Sequence, residues 1–144
     1  MKAHELIKDY DNWTQCGNAR KGDGSWCMWN HQEAACFCAQ GAIMRAYDDP
    51  ENEKAALRTL ALHLIENHRE DVEDGISINE MNRIQECQAC GEEFSVPASV
   101  LITVLNDRGW TGAKLSLDQV SDHEGWSSRR SHALLYQAMK ELDI

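Results

Sequence analysis

No apolar run in this 144-residue chain approaches the ~20 residues that a membrane span requires. The start, MKAHELIKDYDNW, interrupts any apolar stretch with charge every few residues, so no secretory signal is expected. Basic charge is scarce: 14 Lys and Arg stand against 24 Asp and Glu, a formal net charge of −10. Such a balance argues against wrapping nucleic acid, whose phosphates reward Lys and Arg. Cysteine is also too sparse for a disulfide-stapled miniature; six residues fall short of the ~8% typical of those scaffolds. With no export signal, a cytoplasmic protein with reduced or metal-bound thiols is expected. The usual catalytic signatures are missing too: no HExxH, P-loop, GxSxG or DxDxDG pattern occurs.

What is present suits a soluble acidic globule. Hydrophobic residues make up 42% and charged residues 26%, close to the globular norm. The length fits one domain spanning 1–144, which would bury about 70% of its unfolded surface. Most punctuation signals are helix starts. Leu6, Ile7 and Tyr10 share one side of a helix over 4–11, with Trp13 following on that side. A Gly- and polar-rich loop, TQCGNARKGDGSW, comes next. Asn30 and Glu33 have the form of a capping box that opens a helix through about Tyr47. Asp49-Pro50 predicts another over 50–67, with Leu57, Leu60, Ala61 and Leu64 as its stripe. Residues 68–76 read as an acidic loop closed by Asp74-Gly75. Ser77 with Glu80 suggests a further cap, Pro97 with apolar pairs at 100/101 and 104/105 a helix, and Ser116 with Gln119 a short one. Ser127 or Ser128 caps the last, in which Leu135, Met139 and Leu142 recur. The expected fold is therefore all-α: about six helices with a small Cys-containing loop or hairpin.

The sharpest local motif is Cys87-x2-Cys90-Gly91. Two thiols at that spacing can hold one face of a tetrahedral zinc, and the glycine suits a knuckle turn. One pair is half a site, so zinc there stands against buried thiols acting as small hydrophobes. His63 and His68 make an awkward ligand pair, because five residues of helix turn them roughly 140° apart. They join only if the helix ends between them. Cys36 and Cys38 fall early in the expected helix from Asn30, where a thiol has a lowered pKa and serves as a nucleophile; packing is the plainer role.

Tryptophan 13, 26, 29, 110 and 126 sit at helix ends and in loops, either as lids over the core or as a recognition surface. Trp126, Ser127, Ser128, Arg129 and Arg130 place an aromatic face, two hydroxyls, a helix start and two guanidiniums together. That set reads as an anion or nucleotide-phosphate site, or as a serine N-cap followed by solvated arginines. The paired acids 48–49, 70–71, 73–74 and 92–93 imitate a phosphate ladder or keep the surface soluble.

The spaced pattern Trp13-x-Gln15, Ala19-Arg20, Gly24, Cys38-x2-Gly41-Ala42, Asn106-Asp107 and Val120 resembles an uncharacterised domain-of-unknown-function family of bacteria and their phages. That family's pattern runs W-x-Q/K, a short loop, C-x2-G-A, and a late N-D followed by T-x3-V; here Ser116 stands where it has Thr. The likeness spans about 6–140, and 68–95, with Cys87 and Cys90, looks like an insertion it does not require. It implies cytosolic, mobile-element biology and brings no known reaction. Gly41-Ala42 reads as a close helix contact. Asn106-Asp107 caps a helix or ties down the 14–25 loop, or lines a ligand cleft.

The expected function is a non-enzymatic binding protein of phage or mobile-element type that sequesters or blocks a host component, a counter-defence role. Its partner is a host protein or a nucleotide-type ligand, with self-association allowed and no membrane. Trp13, Arg20, Asn106, Asp107, Trp126, Ser127, Ser128, Arg129 and Arg130 are the candidate ligand-binding residues; Cys87 and Cys90 are the candidate metal ligands, with zinc the candidate cofactor. The alternative is a small hydrolase using Cys38 or zinc at Cys87/Cys90.

Overall fold

The computed structural model describes residues 2–75, 92–108 and 127–144, with 73–75 and 92–97 followed as backbone path alone. Near the start, the G-D-G-S stretch turns the chain back on itself. Gly24 takes φ +89°, in the left-handed region that glycine occupies without a Cβ penalty. Asp23 Oδ1 accepts from the Ser25 N–H at 2.9 Å and the Ser25 hydroxyl at 2.6 Å, an arrangement that mimics a backbone turn. This turn joins β1 (Ala19–Lys21) to β2 (Trp26–Cys27), antiparallel, with Ala19 opposite Cys27 and Arg20 opposite Trp26. β3 (Ala34–Phe37) lies along the other side of β1, also antiparallel, giving a three-stranded sheet in the order β2-β1-β3.

The sheet overturns the all-α expectation: the fold is mixed α/β. The failure traces to residues 30–37. Asn30 and Glu33 form no capping box; the Glu33 N–H donates to His31 Nδ1 at 2.9 Å, and its carboxylate faces Lys21 at 3.6 Å. Ala34–Phe37 then pair with β1, and the Phe37 carbonyl accepts from Thr14 N–H at 3.0 Å. Cross-strand bonds outweigh the small helix preference of Ala34 and Ala35, as tertiary context commonly does.

Six α-helices occur among the described residues. α1 (Ala3–Leu6) is shorter than the sequence suggests and is followed by a 3-10 turn at Tyr10–Asn12, yet Ile7 and Trp13 still reach the core with no exposure. α2 (Ala39–Ala46) is capped by Cys38, whose Sγ accepts from Gly41 N–H at 3.1 Å. α3 (Pro50–Asn67) starts as expected, with Asp49 Oδ1 accepting from Glu51 N–H at 3.1 Å and proline in the first turn. α4 (Arg69–Gly75) replaces the expected acidic loop. Its acids at Glu70 and Asp71 occupy the first turn, where the helix dipole favours negative charge, and Val72 is fully buried. α5 (Glu92–Asp107) begins before Pro97. α6 (Ser128–Glu141) is capped by Ser127 Oγ, which accepts from Arg130 N–H at 3.2 Å.

α3 packs most extensively on α5. Leu57, Leu60, Ala61 and Leu64 meet a core that includes Leu101, Ile102 and Leu105 from α5 and Leu135, Ala138 and Met139 from α6. Each large aliphatic so buried contributes about 1.5–3 kcal/mol. No helix among the described residues is long and apolar enough to cross a membrane. The cap at Ser77/Glu80, the helix at Ser116/Gln119, and Trp110, Val120 and Trp126 lie outside the described residues.

Candidate functional site

Two polar constellations stand out, one buried and one at the surface. The buried one gathers around Asn106, which is 1% exposed at the end of α5. Its Oδ1 accepts from the Trp13 indole N–H at 2.8 Å and from Ala39 N–H at 3.0 Å. Its Nδ2 donates to the Thr14 carbonyl at 3.1 Å and to Asp107 Oδ1 at 3.0 Å. Both acceptor positions and both donors of the amide are therefore used. Gln15 Nε2 donates to the carbonyls of Asn106 and Arg108, each at 3.0 Å, satisfying groups that a helix end leaves open. Cys16, held at φ +60°, donates its N–H to Asp107 Oδ1 at 2.8 Å. Trp13-x-Gln15 and Asn106-Asp107 thus fasten the loop before β1 to the end of α5.

Beside this clamp is a cavity of about 230 Å³, whose walls include Asn18, Cys38, Gln40, Thr103 and Asp107. Cys38 sits at an N-cap rather than inside a helix, and Cys36 lies on β3. Burial pushes the Cys38 thiol up to about 12, against the smaller downward pull of the Gly41 N–H. Desolvation therefore defeats the helix start, and the neutral thiol bridges Gly41 N–H to Asn18 Oδ1. Cys16 is likewise raised, by burial first and Asp107 second, with Arg20 opposing. Cys16, Cys27, Cys36 and Cys38 are all free thiols. Gly41 explains its own residue type: a Cβ there would lie 2.0 Å from the Asn18 carbonyl oxygen. The close contact read from Gly41-Ala42 is thus with the loop before β1, not with a second helix.

Of the candidate anion set, Trp126 lies outside the described residues, and residues 127–130 are engaged within the protein. Ser127 is spent as the N-cap of α6, Ser128 Oγ shares a hydrogen bond of 2.6 Å with Tyr10 OH, and the Arg129 guanidinium lies 4.3 Å from the Tyr10 ring centroid. Arg130 pairs with Asp71 at 2.6 Å. Trp13 is a core residue and Arg20 a half-buried one on β1. The Arg20 guanidinium stacks 3.5 Å from the Trp26 ring centroid and donates to the Gly24 carbonyl at 3.2 Å. Cys87 and Cys90 lie outside the described residues.

The surface constellation is one that the sequence flagged only conditionally. α3 does end between His63 and His68: His68 is its C-cap, with φ −130° and ψ 38°. The bend brings the two rings to 5.6 Å between centroids. Both Nε2 atoms then meet Glu141 Oε1 near the end of α6, at 3.1 Å from His63 and 3.0 Å from His68. Those bonds, His63's first, hold the Glu141 carboxyl below its usual range. The missing signal was the end of α3 at 67–68, which carries neither Gly nor Pro. No family model, no curated protein and no solved structure matches the chain.

Proposed function

We propose that this is a binding protein that docks on and blocks a host protein in the cytoplasm, as a mobile-element product acting against host defence would. The observation that carries the reading is the outer edge of the sheet. Trp26 is 51% exposed and Met28 64% exposed, side by side on and just beyond β2, the edge strand among the described residues.

Trp26 is exposed yet held. Arg20 stacks on it, and the Gly17 backbone presses so close that a Cβ there would lie 2.0 Å from Trp26 Cζ3. An aromatic fixed before binding loses little conformational freedom on contact, which is why rigid Trp and Arg dominate binding energies. The edge offers a partner an apolar anchor with a guanidinium beside it, complementary to a pocket with an acidic rim. A nucleotide-type ligand is less well served, because Ser127, Ser128, Arg129 and Arg130 are engaged within the protein. A Cys38 hydrolase is disfavoured because burial pushes the thiol up to about 12, leaving the reactive thiolate scarce at neutral pH.

The reading is tested by placing a photo-crosslinking residue at Met28 and irradiating host cells that express the protein. A discrete protein adduct that disappears when Trp26→Ala is added, at unchanged melting temperature, is the expected result. No adduct, or adducts indifferent to Trp26, would refute it.

A further inference from the structure

The corner between α3 and α4 and the end of α6 combine into a site that neither the binding edge nor the buried clamp uses. We infer that His63, His68 and Glu141 bind a first-row divalent metal ion, with zinc the best fit. Two imidazole nitrogens and a carboxylate oxygen form the donor set, the borderline N/O combination that such ions favour over calcium or magnesium. The three donor atoms lie within 4.8 Å of one another.

The spacing fits a metal. With bonds of ~2.0–2.1 Å, ligand atoms at the corners of a tetrahedron sit ~3.3–3.4 Å apart. The two Nε2 to Oε1 separations of 3.1 and 3.0 Å are therefore only a few tenths of an ångström too short, and the third, between the imidazole nitrogens, is at most 4.8 Å, within reach of side-chain rotation. The placement fits as well. His63 and His68 have side chains 18% and 19% exposed and Glu141 39%, enough shelter to order the donors and enough opening to admit an ion. A depression of about 330 Å³ next to His68 is bordered by Glu66, Glu70 and Asp71 and also by Arg69, with Asp71 paired to Arg130, in a chain of net charge −10. That surround concentrates cations.

Without metal the three side chains are held by hydrogen bonds that leave one carboxylate oxygen shared between two imidazoles. Two N–H donors converge on a single carboxylate oxygen, while Asn67 Nδ2 donates to His63 Nδ1 at 3.1 Å. Since Nδ1 accepts, the His63 proton sits on Nε2. Metal at Nε2 would move that proton to Nδ1, where Asn67 Oδ1 could accept it only if the amide turned and gave up the Nδ2 bond to the His63 carbonyl at 3.2 Å. Such outer partners fix the tautomer of a metal-bound imidazole. With three protein donors, at least one coordination position falls to water, the pattern of open rather than closed zinc sites. The ion would also couple the α3–α4 corner to the end of α6.

The test uses the full chain with all cysteines present, stripped with chelator and titrated with Zn²⁺ and separately with Co²⁺. Expected are one equivalent bound, cobalt d–d bands without the intense sulfur charge-transfer band, and a rise in melting temperature of about 5–10 °C at hundredfold saturation. His68→Ala should weaken zinc by more than about 100-fold, beyond the roughly 10–100-fold that loss of an outer partner costs, and Glu141→Gln, which keeps a hydrogen-bond acceptor, should do the same while the apo variant stays folded with only a small drop in melting temperature. The inference is overturned if zinc binds equally well to both variants, if cobalt shows sulfur ligation that Cys87→Ser/Cys90→Ser removes, or if no metal binds at micromolar concentration.

Discussion

Asn106 and Glu141 both sit where several polar groups converge, and they could hardly be used more differently. Around Asn106 both donors and both acceptor positions of the amide are used, and the amide itself is shut away from water. At Glu141 two imidazoles crowd a single oxygen of a carboxylate that solvent still reaches. A satisfied, buried network fixes a fold. A convergent, part-open one retains capacity for something else.

The comparison breaks most sharply at Asn106. Asn106→Ala strands the Trp13 indole N–H, the Ala39 N–H and the Thr14 carbonyl in the interior. Leaving buried groups unpaired costs ~1–3 kcal/mol each, part of which relaxation recovers, so a loss of about 3–5 kcal/mol in urea unfolding is expected. A loss below about 1 kcal/mol would mean that the clamp is ornamental. Next comes Gly41→Ala, which drives a methyl into the Asn18 carbonyl and should cost about 1–3 kcal/mol, the usual range for overpacking; a neutral result would show that the loop yields freely.

Smaller effects sharpen the contrast. Cys38 should be alkylated by iodoacetamide last among the described cysteines at pH 7.5, and its rate should keep rising towards the thiol's pKa of about 12. Early modification would place that thiol in reach of solvent. Glu141→Gln should lower stability modestly at neutral pH, leave it nearly unchanged at low pH, and so flatten the acid limb. The folded carboxyl, held by the His63 and His68 hydrogen bonds, titrates below the usual glutamate range. Its stabilising share is therefore complete above the unfolded pKa and fades as pH falls through the folded one. An unchanged acid limb in thermal melts from pH 6 to 3 would separate Glu141 from its histidines.

Legibility in the sequence followed the length of the element. α3 announced itself through Asp49-Pro50 and a stripe of leucines, and α6 through Ser127, because caps and 3.6-residue spacing act locally. The sheet did not. Its strands, A-R-K, W-C and A-A-C-F, are too short for any alternation to register. The one local clue was the D-G pair in the turn. Ala34 and Ala35 argue for helix until β1 is known to lie alongside. The Asn106 clamp was half legible: the sequence marked Trp13, Gln15, Asn106 and Asp107 without the fold that joins them. The histidine pair hinged on where α3 stops, which its own residues barely signal. Partners brought together by topology leave no trace in spacing.

The distance along the chain between Trp13 and Asn106, 93 residues, gives the clamp a place in time. At translation rates of ~5–20 residues per second, Trp13 waits about 5–20 s for the residue that will hold its indole. Meanwhile the hairpin has its own turn but no anchor, and the first turn of α2 keeps an unfilled amide at Ala39. The nascent chain therefore spends seconds with its largest core side chain unplaced, and only the emergence of the end of α5 lets it settle. A ribosome stalled just short of Asn106 should carry a chain whose Trp13 is open to quenching by iodide, and one stalled well past Arg108 a chain whose Trp13 is sealed.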